Sequence, residues 1–134
     1  MTDAAALRAQ GEQLARELFG TPAGDLAGLP LNDGDDLARE LVTWVFGYLL
    51  KEQPHLTIRQ KILCLISMCT VRSQVDMLRR WIPAARNAGC AREEVHETMV
   101  TMLVYGGWPA TRLALETLAE VWPVAGSSGA TNPG

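Results

Sequence analysis

"TIRQKILCLISMCTVRSQVDMLRRWIPAARNAG", residues 57 to 89, decides the fold. Thr57 and Gln60 stand three apart, so each side chain satisfies the other's backbone N–H, the signature of a helix start. Behind them Ile58, Ile62, Leu65, Ile66 and Cys69 recur at three- and four-residue spacing, an apolar stripe that predicts a helix to about Arg72. The second half has the same spacing and closes on Asn87-Ala88-Gly89, with the glycine where a helix turns left-handed after its last turn. Its middle, Arg79-Arg80-Trp81-Ile82-Pro83, sets a bulky aromatic beside a residue that removes one backbone hydrogen bond and bends a helix.

Outward from this pair the chain continues as helix. Leu7, Leu14 and Leu18 predict a first helix over about Asp3 to Phe19, stopped by Gly20 and Pro22. "TPAGDLAGLPLNDGDD" is a loop whose closing aspartates, Asp33 to Asp36, offer an N-cap and a favourable negative charge to the next helix. That helix, about Asp35 to Lys51, is apolar nearly all round from Leu41 to Leu50, as in helices buried centrally or in a subunit interface. Pro54 ends it. Past Gly89, Glu93 and Glu94 occupy the first turn of a helix reaching about Val104, with Val95, Met99, Met102 and Leu103 inward. Gly106-Gly107 breaks the chain, Pro109 restarts it, and the last helix buries Leu113, Leu115 and Leu118 before Pro123. No strand pattern and no internal repeat occurs. The expectation is an all-α, single-domain bundle of about six helices over residues 1–122, oligomeric so as to complete its core, with a flexible tail over 123–134.

The 134 residues suit one domain with a real core. A net charge of −3, with basic residues spread along the chain, excludes the basic stripe of a nucleic-acid binder. No apolar run approaches the roughly 18 residues that span a bilayer, so no membrane partner is expected. "MTDAAALRAQ" lacks the basic-then-apolar order of a signal peptide, and cytoplasmic residence is the expectation. Cys64, Cys69 and Cys90 form no Cys-x-x-Cys and read as small apolar thiols.

Three groups of polar residues are candidates for chemistry. Glu93, His96 and Glu97 share one helical face. Glu-x-x-His is half of a di-iron site in helical bundles, but its only counterpart, Glu52 to His55, is interrupted by Pro54, and no further inward carboxylates complete a metal set. No metal is expected there. The face is either a solvated first turn or a source of acid/base catalysis through Glu97 or His96. Arg59 and Lys61 open the third helix, where free N–H groups already attract anions, and together they suit a carboxylate clamp or ordinary surface pairing. Arg80, beside Arg79, is a second anion contact of the same kind. Gly-x-Ser-x-Gly, P-loop and dinucleotide motifs are absent from the sequence.

"LTIRQKILCL" followed by "WIPAARNAGCAREEVHETMVTMLVYGGWPA" resembles the carboxymuconolactone decarboxylase family, through Leu56, Arg59, Ala85, Gly89, Glu94, Glu97, Tyr105, Gly107, Pro109 and Ala110. Trp44, Gly47, Gly11 and Gly20 are similar to the γ-carboxymuconolactone branch, extending the likeness over about residues 10 to 122. The resemblance implies the alkylhydroperoxidase D-like helical fold, homotrimers or homohexamers, and clefts near subunit contacts that bind a small acid or lactone. It also gives Arg59 and Lys61 a carboxylate to hold. The peroxidase branch carries Cys-x-x-Cys-x-x-x-His where this chain has Gln74, Met77 and Trp81, so dithiol chemistry is excluded. The decarboxylase branch carries histidine at Trp81. An indole moves no proton near neutral pH, so Trp81 is either a flat apolar pocket wall or a filler of the vacated space.

Two functions follow. One is a cofactor-independent lyase or isomerase, decarboxylase-like or a cyclase variant. Arg59, Lys61 and Arg80 would supply charge, Glu97, His96 or Tyr105 would move the proton, and Trp44, Trp81 and Trp108 would accommodate a bulky substrate. The other is a non-catalytic small-molecule binder or accessory oligomer on the same scaffold.

Overall fold

The computed structural model describes residues 3–21 and 36–126, and the described elements are all helices. The loop aspartates Asp33 to Asp35 and the tail beyond Gly126 lie outside the described residues. Among those described, no helix is long and apolar enough to cross a membrane.

Helix α1, Ala4–Phe19, starts where Asp3 accepts the Ala6 N–H at 2.9 Å, and it ends on Gly20 at φ 81°. Its buried positions are Gly11, Leu14, Ala15 and Leu18. Helix α2, Asp36–Leu41, runs directly into a π-helical segment, Val42–Glu52, where the sequence predicts one regular helix. The cause of its close fit to α1 is visible at two glycines. A Cβ added at Gly47 would overlap the carbonyl oxygen of Leu7, and one at Gly11 would overlap that of Val42. The two backbones therefore touch, and no other residue fits either position without separating them. Val42, Phe46, Gly47 and Leu50 face inward. The segment is not apolar to the interior all round: Trp44 is 55% exposed and pairs edge-on with Tyr48 at 5.1 Å.

The end of the π segment creates a demand for donors. A carbonyl four residues before a proline loses its α-helical partner, and Pro54 stands four after Leu50. Lys61, from the next helix, donates to Leu50 O at 2.9 Å and to Gln53 O at 2.7 Å.

Helix α3, Ile58–Val71, begins with the expected reciprocal cap: Gln60 N–H donates to Thr57 Oγ1 and Thr57 N–H to Gln60 Oε1. Ile62, Ile66 and Thr70 form its buried stripe, and the Thr70 hydroxyl donates back to Ile66 O. It packs on α4, Val75–Asn87, and on α5, Arg92–Thr101. Helix α4 carries Pro83 inside it and buries Leu78, Ile82, Ala84 and Ala85, with Gly89 at φ 90° beyond its end.

Two expectations near the C-terminus are corrected. Helix α5 stops at Thr101 rather than near Val104, and a short α6, Leu103–Gly106, follows a break at Met102, leaving Leu103 43% exposed. The last helix, α7, Trp108–Val121, buries Ala110, Thr111, Ala114, Thr117 and Leu118, while Leu113 is 38% exposed. Small residues allow α7 to lie close to α3 and α4, so the inward stripe is the one poor in large side chains.

Candidate functional site

Lys61 sits where two helix ends meet. Its ammonium has three donors, two of which serve the carbonyl oxygens of Leu50 and Gln53. Burial pushes its pKa below the ordinary lysine value. The side chain lines an open cleft of about 360 Å³, at the small end of ligand pockets, with Leu49, His55, Leu56, Cys64 and Leu65 among the other lining residues. Lys61, Cys64 and Leu65 are neighbours by the i, i+3 and i+4 rule on α3. The other wall is the end of the π segment and the chain just past Pro54. The result is an apolar groove with one ammonium, an imidazole and a thiol opening on it.

Arg59 does not join Lys61 as the expected clamp. Positions two apart on a helix diverge, and Arg59 turns to α5, where its Nη2 meets Glu94 Oε1 at 2.6 Å. The same carboxylate accepts the Ala91 N–H at 2.8 Å, capping α5. The Ala91 bond foremost, and Arg59 after it, hold the Glu94 carboxyl below its ordinary value. Beneath this pair the buried Cys90 thiol lies 3.9 Å from Arg59 O, its pKa pushed up by burial. Arg59 and Glu94 thus tie the starts of α3 and α5 together.

Trp81 is half-buried on α4. Its ring meets Phe19 edge-on at 5.3 Å and stacks on Phe46 at 6.4 Å, with Phe19 and Phe46 themselves 5.8 Å apart. Three rings from α1, the π segment and α4 make one cluster. Trp81 is not a lining residue of the Lys61 cleft.

The remaining candidates are not gathered there either. His96 and Glu97 are exposed on α5, the backbone carbonyl of Glu97 accepting from Thr101 Oγ1 at 2.7 Å. Tyr105, on α6, is 97% exposed. Trp108 is 58% exposed at the start of α7, and Trp44 lies outward on the π segment. Arg80 is half-buried on α4 and is not a lining residue of the cleft, while its neighbour Arg79 pairs with Glu120 at 2.9 Å. Among the described residues, no three histidine, cysteine or acidic side chains gather to hold a metal ion. Of the nine candidates only Lys61 lines the cleft. The structure adds His55 and Cys64, which the sequence offers only as half of an interrupted Glu-x-x-His and as a small apolar thiol. The signal was present: the proline that spoils Glu52-x-x-His55 as a helical metal motif is also what turns the chain so that His55 faces the start of α3.

Residues 37–120 match the model of the carboxymuconolactone decarboxylase family. The chain belongs to the carboxymuconolactone decarboxylase family. The matched span runs from α2 to the end of α7, so it contains the Lys61 cleft, the Arg59–Glu94 tie and Trp81. No curated protein matches the chain. Within this carboxymuconolactone decarboxylase scaffold, Arg59 and Glu94 face each other across the starts of α3 and α5.

Proposed function

We propose that this member of the carboxymuconolactone decarboxylase family, of its γ-carboxymuconolactone-like branch, is a cofactor-independent lyase or isomerase acting on a small carboxylic acid or lactone at the Lys61 cleft. The observation that carries the reading is an ammonium with one donor left over, opening on an apolar groove that His55 also lines. In a proton shift, or in loss of CO2, negative charge grows on the carbonyl oxygen conjugated with the reacting carbon. The remaining N–H of Lys61 stabilises that charge more in the transition state than in the ground state. In the proton shift His55 takes the proton from one carbon and returns it to another; in loss of CO2 it delivers to the carbanionic carbon a proton that it takes up from water. Glu97, His96 and Tyr105, exposed in the single chain, fit a proton-carrying role only at a site completed by a second copy. Exposed Met68, Val71, Val104 and Tyr105 support such an assembly, a homotrimer or homohexamer, to be checked by light scattering.

The test is consumption of γ-carboxymuconolactone and of a panel of small unsaturated acids and lactones, followed by loss of substrate absorbance. Lys61→Met and His55→Ala are each expected to reduce turnover at least 100-fold. Turnover unchanged in both variants removes the cleft from the chemistry. A second reading, a non-catalytic binder or accessory protein, is favoured by one observation: the indole of Trp81 is packed against Phe19 and Phe46. Saturable binding of these acids without conversion would select it.

A further inference from the structure

The chemistry proposed at the Lys61 cleft uses an ammonium and an imidazole and leaves the thiol beside them without a role. The three cysteines differ in what can reach them. Cys90 is buried and Cys69 half-buried, and burial pushes both thiols above the ordinary value. Cys64 is exposed and opens on the groove. It does not stand alone there. Lys61 precedes it by three residues on α3, so the two share a face. Two of the Lys61 donors serve Leu50 O and Gln53 O, and the third is uncommitted. His55, from the turn after Pro54, lines the same groove.

A nucleophile, a hydrogen-bond donor and a proton carrier thus open on one apolar cleft of about 360 Å³. That set matches one class of electrophile. When a thiolate adds to the β-carbon of an α,β-unsaturated carbonyl compound, charge grows on the carbonyl oxygen, which then needs a donor. The walls suit a hydrocarbon body, since Leu49 and Leu56 are exposed surface that such a body removes from water.

We propose that Cys64 is a covalent modification site for α,β-unsaturated aldehydes and ketones with an apolar body. The Cys64 thiol gives its proton to His55, and its sulfur forms a C–S bond with the β-carbon. The π pair of the C=C bond moves toward the carbonyl oxygen as an enolate, which the third N–H of Lys61 stabilises. The proton on His55 returns to the α-carbon. S–H has then added across the double bond, with no oxidant or reductant consumed. The inference shares the cleft with the lyase reading, but it needs neither a carboxylate nor turnover, since the product stays on the protein.

The experiment incubates the full chain with oct-3-en-2-one and, separately, with iodoacetamide, and reads adducts by intact mass and peptide mapping. Iodoacetamide alkylates by displacing iodide, so it forms no enolate and measures only access to the thiol. Each rate is divided by that of the same reagent with N-acetylcysteine. The enone should add once, at Cys64, leaving Cys69 and Cys90 unmodified, and its ratio should exceed that of iodoacetamide by about tenfold or more. Lys61→Met should slow the enone by about tenfold and leave iodoacetamide within about twofold. Because that variant also uncaps the π segment, Leu56→Ala provides a second check. It leaves the Lys61–carbonyl bonds in place and should slow the enone by about threefold, with iodoacetamide unchanged.

An enone ratio no higher than that of iodoacetamide, or an adduct mainly on another residue, would overturn the proposal. So would an enone rate that ignores either variant, or a Cys64 that neither reagent reaches. Rapid addition that depends on Lys61, in a protein that converts no acid or lactone, would remove the lyase reading and keep this one. Conversion of a lactone with no enone preference would do the reverse.

Discussion

The aromatic cluster at Trp81 and the cleft at Lys61 lie about a turn apart along the π segment, at Phe46 and at Leu50, and they close in different ways. At Trp81 three rings meet at centroid distances of 5.3 to 6.4 Å, and the space is filled by side chains alone. At Lys61 the interior ends in two carbonyl oxygens beside a proline, and a cation from α3 is drawn in to satisfy them. An apolar vacancy can be filled by a larger apolar residue. A backbone left short of donors needs a polar group, and a polar group at a surface leaves an opening with chemistry in it. The resemblance of the sequence points to the first region through a missing histidine; the geometry points to the second.

The largest effect is expected where both regions depend on one contact. Gly47 follows Phe46 of the cluster and precedes Leu50 of the cleft, and a Cβ there would strike Leu7 O. Gly47→Ala should cost about 3 kcal/mol, lowering the melting temperature by roughly 10 °C and loosening both regions together. A Gly47→Ala protein with an unchanged melting temperature would show that α1 and the π segment do not need this approach.

Next comes the cluster alone. Trp81→Ala should cost about 2 kcal/mol, less than the roughly 3–5 kcal/mol of a fully buried ring because Trp81 is only half-buried. Near-ultraviolet circular dichroism should lose the Trp81 share of a signal that Trp44, Trp108 and Trp122 also feed, while hydrogen exchange at the end of the π segment stays unchanged. Equal losses in both would mean that the two regions are one unit. Trp81→His separates shape from proton exchange at the same position: gain of lactone turnover would return the chemistry to the cluster and weaken the case for the cleft.

Much of this was legible in the sequence, and the misses share a cause. The caps at Thr57–Gln60, Gly20 and Gly89 are local, and each stands where spacing predicts it. The fit of Gly11 to Gly47 joins residues distant in sequence, so no local pattern reveals the π winding beside it. On α7 the expected Leu118 is buried and Leu115 packs against the core, but Leu113 is exposed and Ala110, Thr111 and Ala114 take the inward positions, since close helix packing favours small residues that a hydrophobic count passes by. Arg59 and Lys61 suggest a pair because they are close in sequence, but positions two apart on a helix look in different directions, Arg59 to Glu94 and Lys61 to Leu50 O. His55 reads in the sequence only as part of a metal motif that it fails to complete, and its place beside Lys61 depends on the turn at Pro54. Pro54 announces that a helix stops but not which carbonyls it strands or which lysine answers.

A smaller loss is expected at the cleft. Lys61→Met removes the charged donor from one part-buried carbonyl, Leu50 O, and one exposed carbonyl, Gln53 O, and should cost about 1 kcal/mol in urea unfolding. Hydrogen exchange should quicken at the end of the π segment and stay unchanged around Trp81. Faster exchange in the cluster instead would contradict the separate closure of the two regions.

The smallest effect belongs to the Arg59–Glu94 tie, which touches neither region directly. Glu94 is held below its ordinary value by the Ala91 N–H and then by Arg59, so its folded-state pKa lies below the unfolded one, which is about 4.3. Its contribution to stability is therefore fully present above the unfolded value and is lost as pH falls through the lowered folded value. Glu94→Gln keeps a side-chain oxygen for the Ala91 N–H but ends the ion pair. Its urea midpoint should sit slightly below that of the parent at pH 7 and converge with it at pH 3. The pair is exposed, so 0.5 M salt should narrow the difference at pH 7. If the two midpoints instead stay apart at pH 3, the Glu94 charge is not the source of the difference. The loss would then lie in the α5 cap, and Arg59 would be free to meet an anion after all.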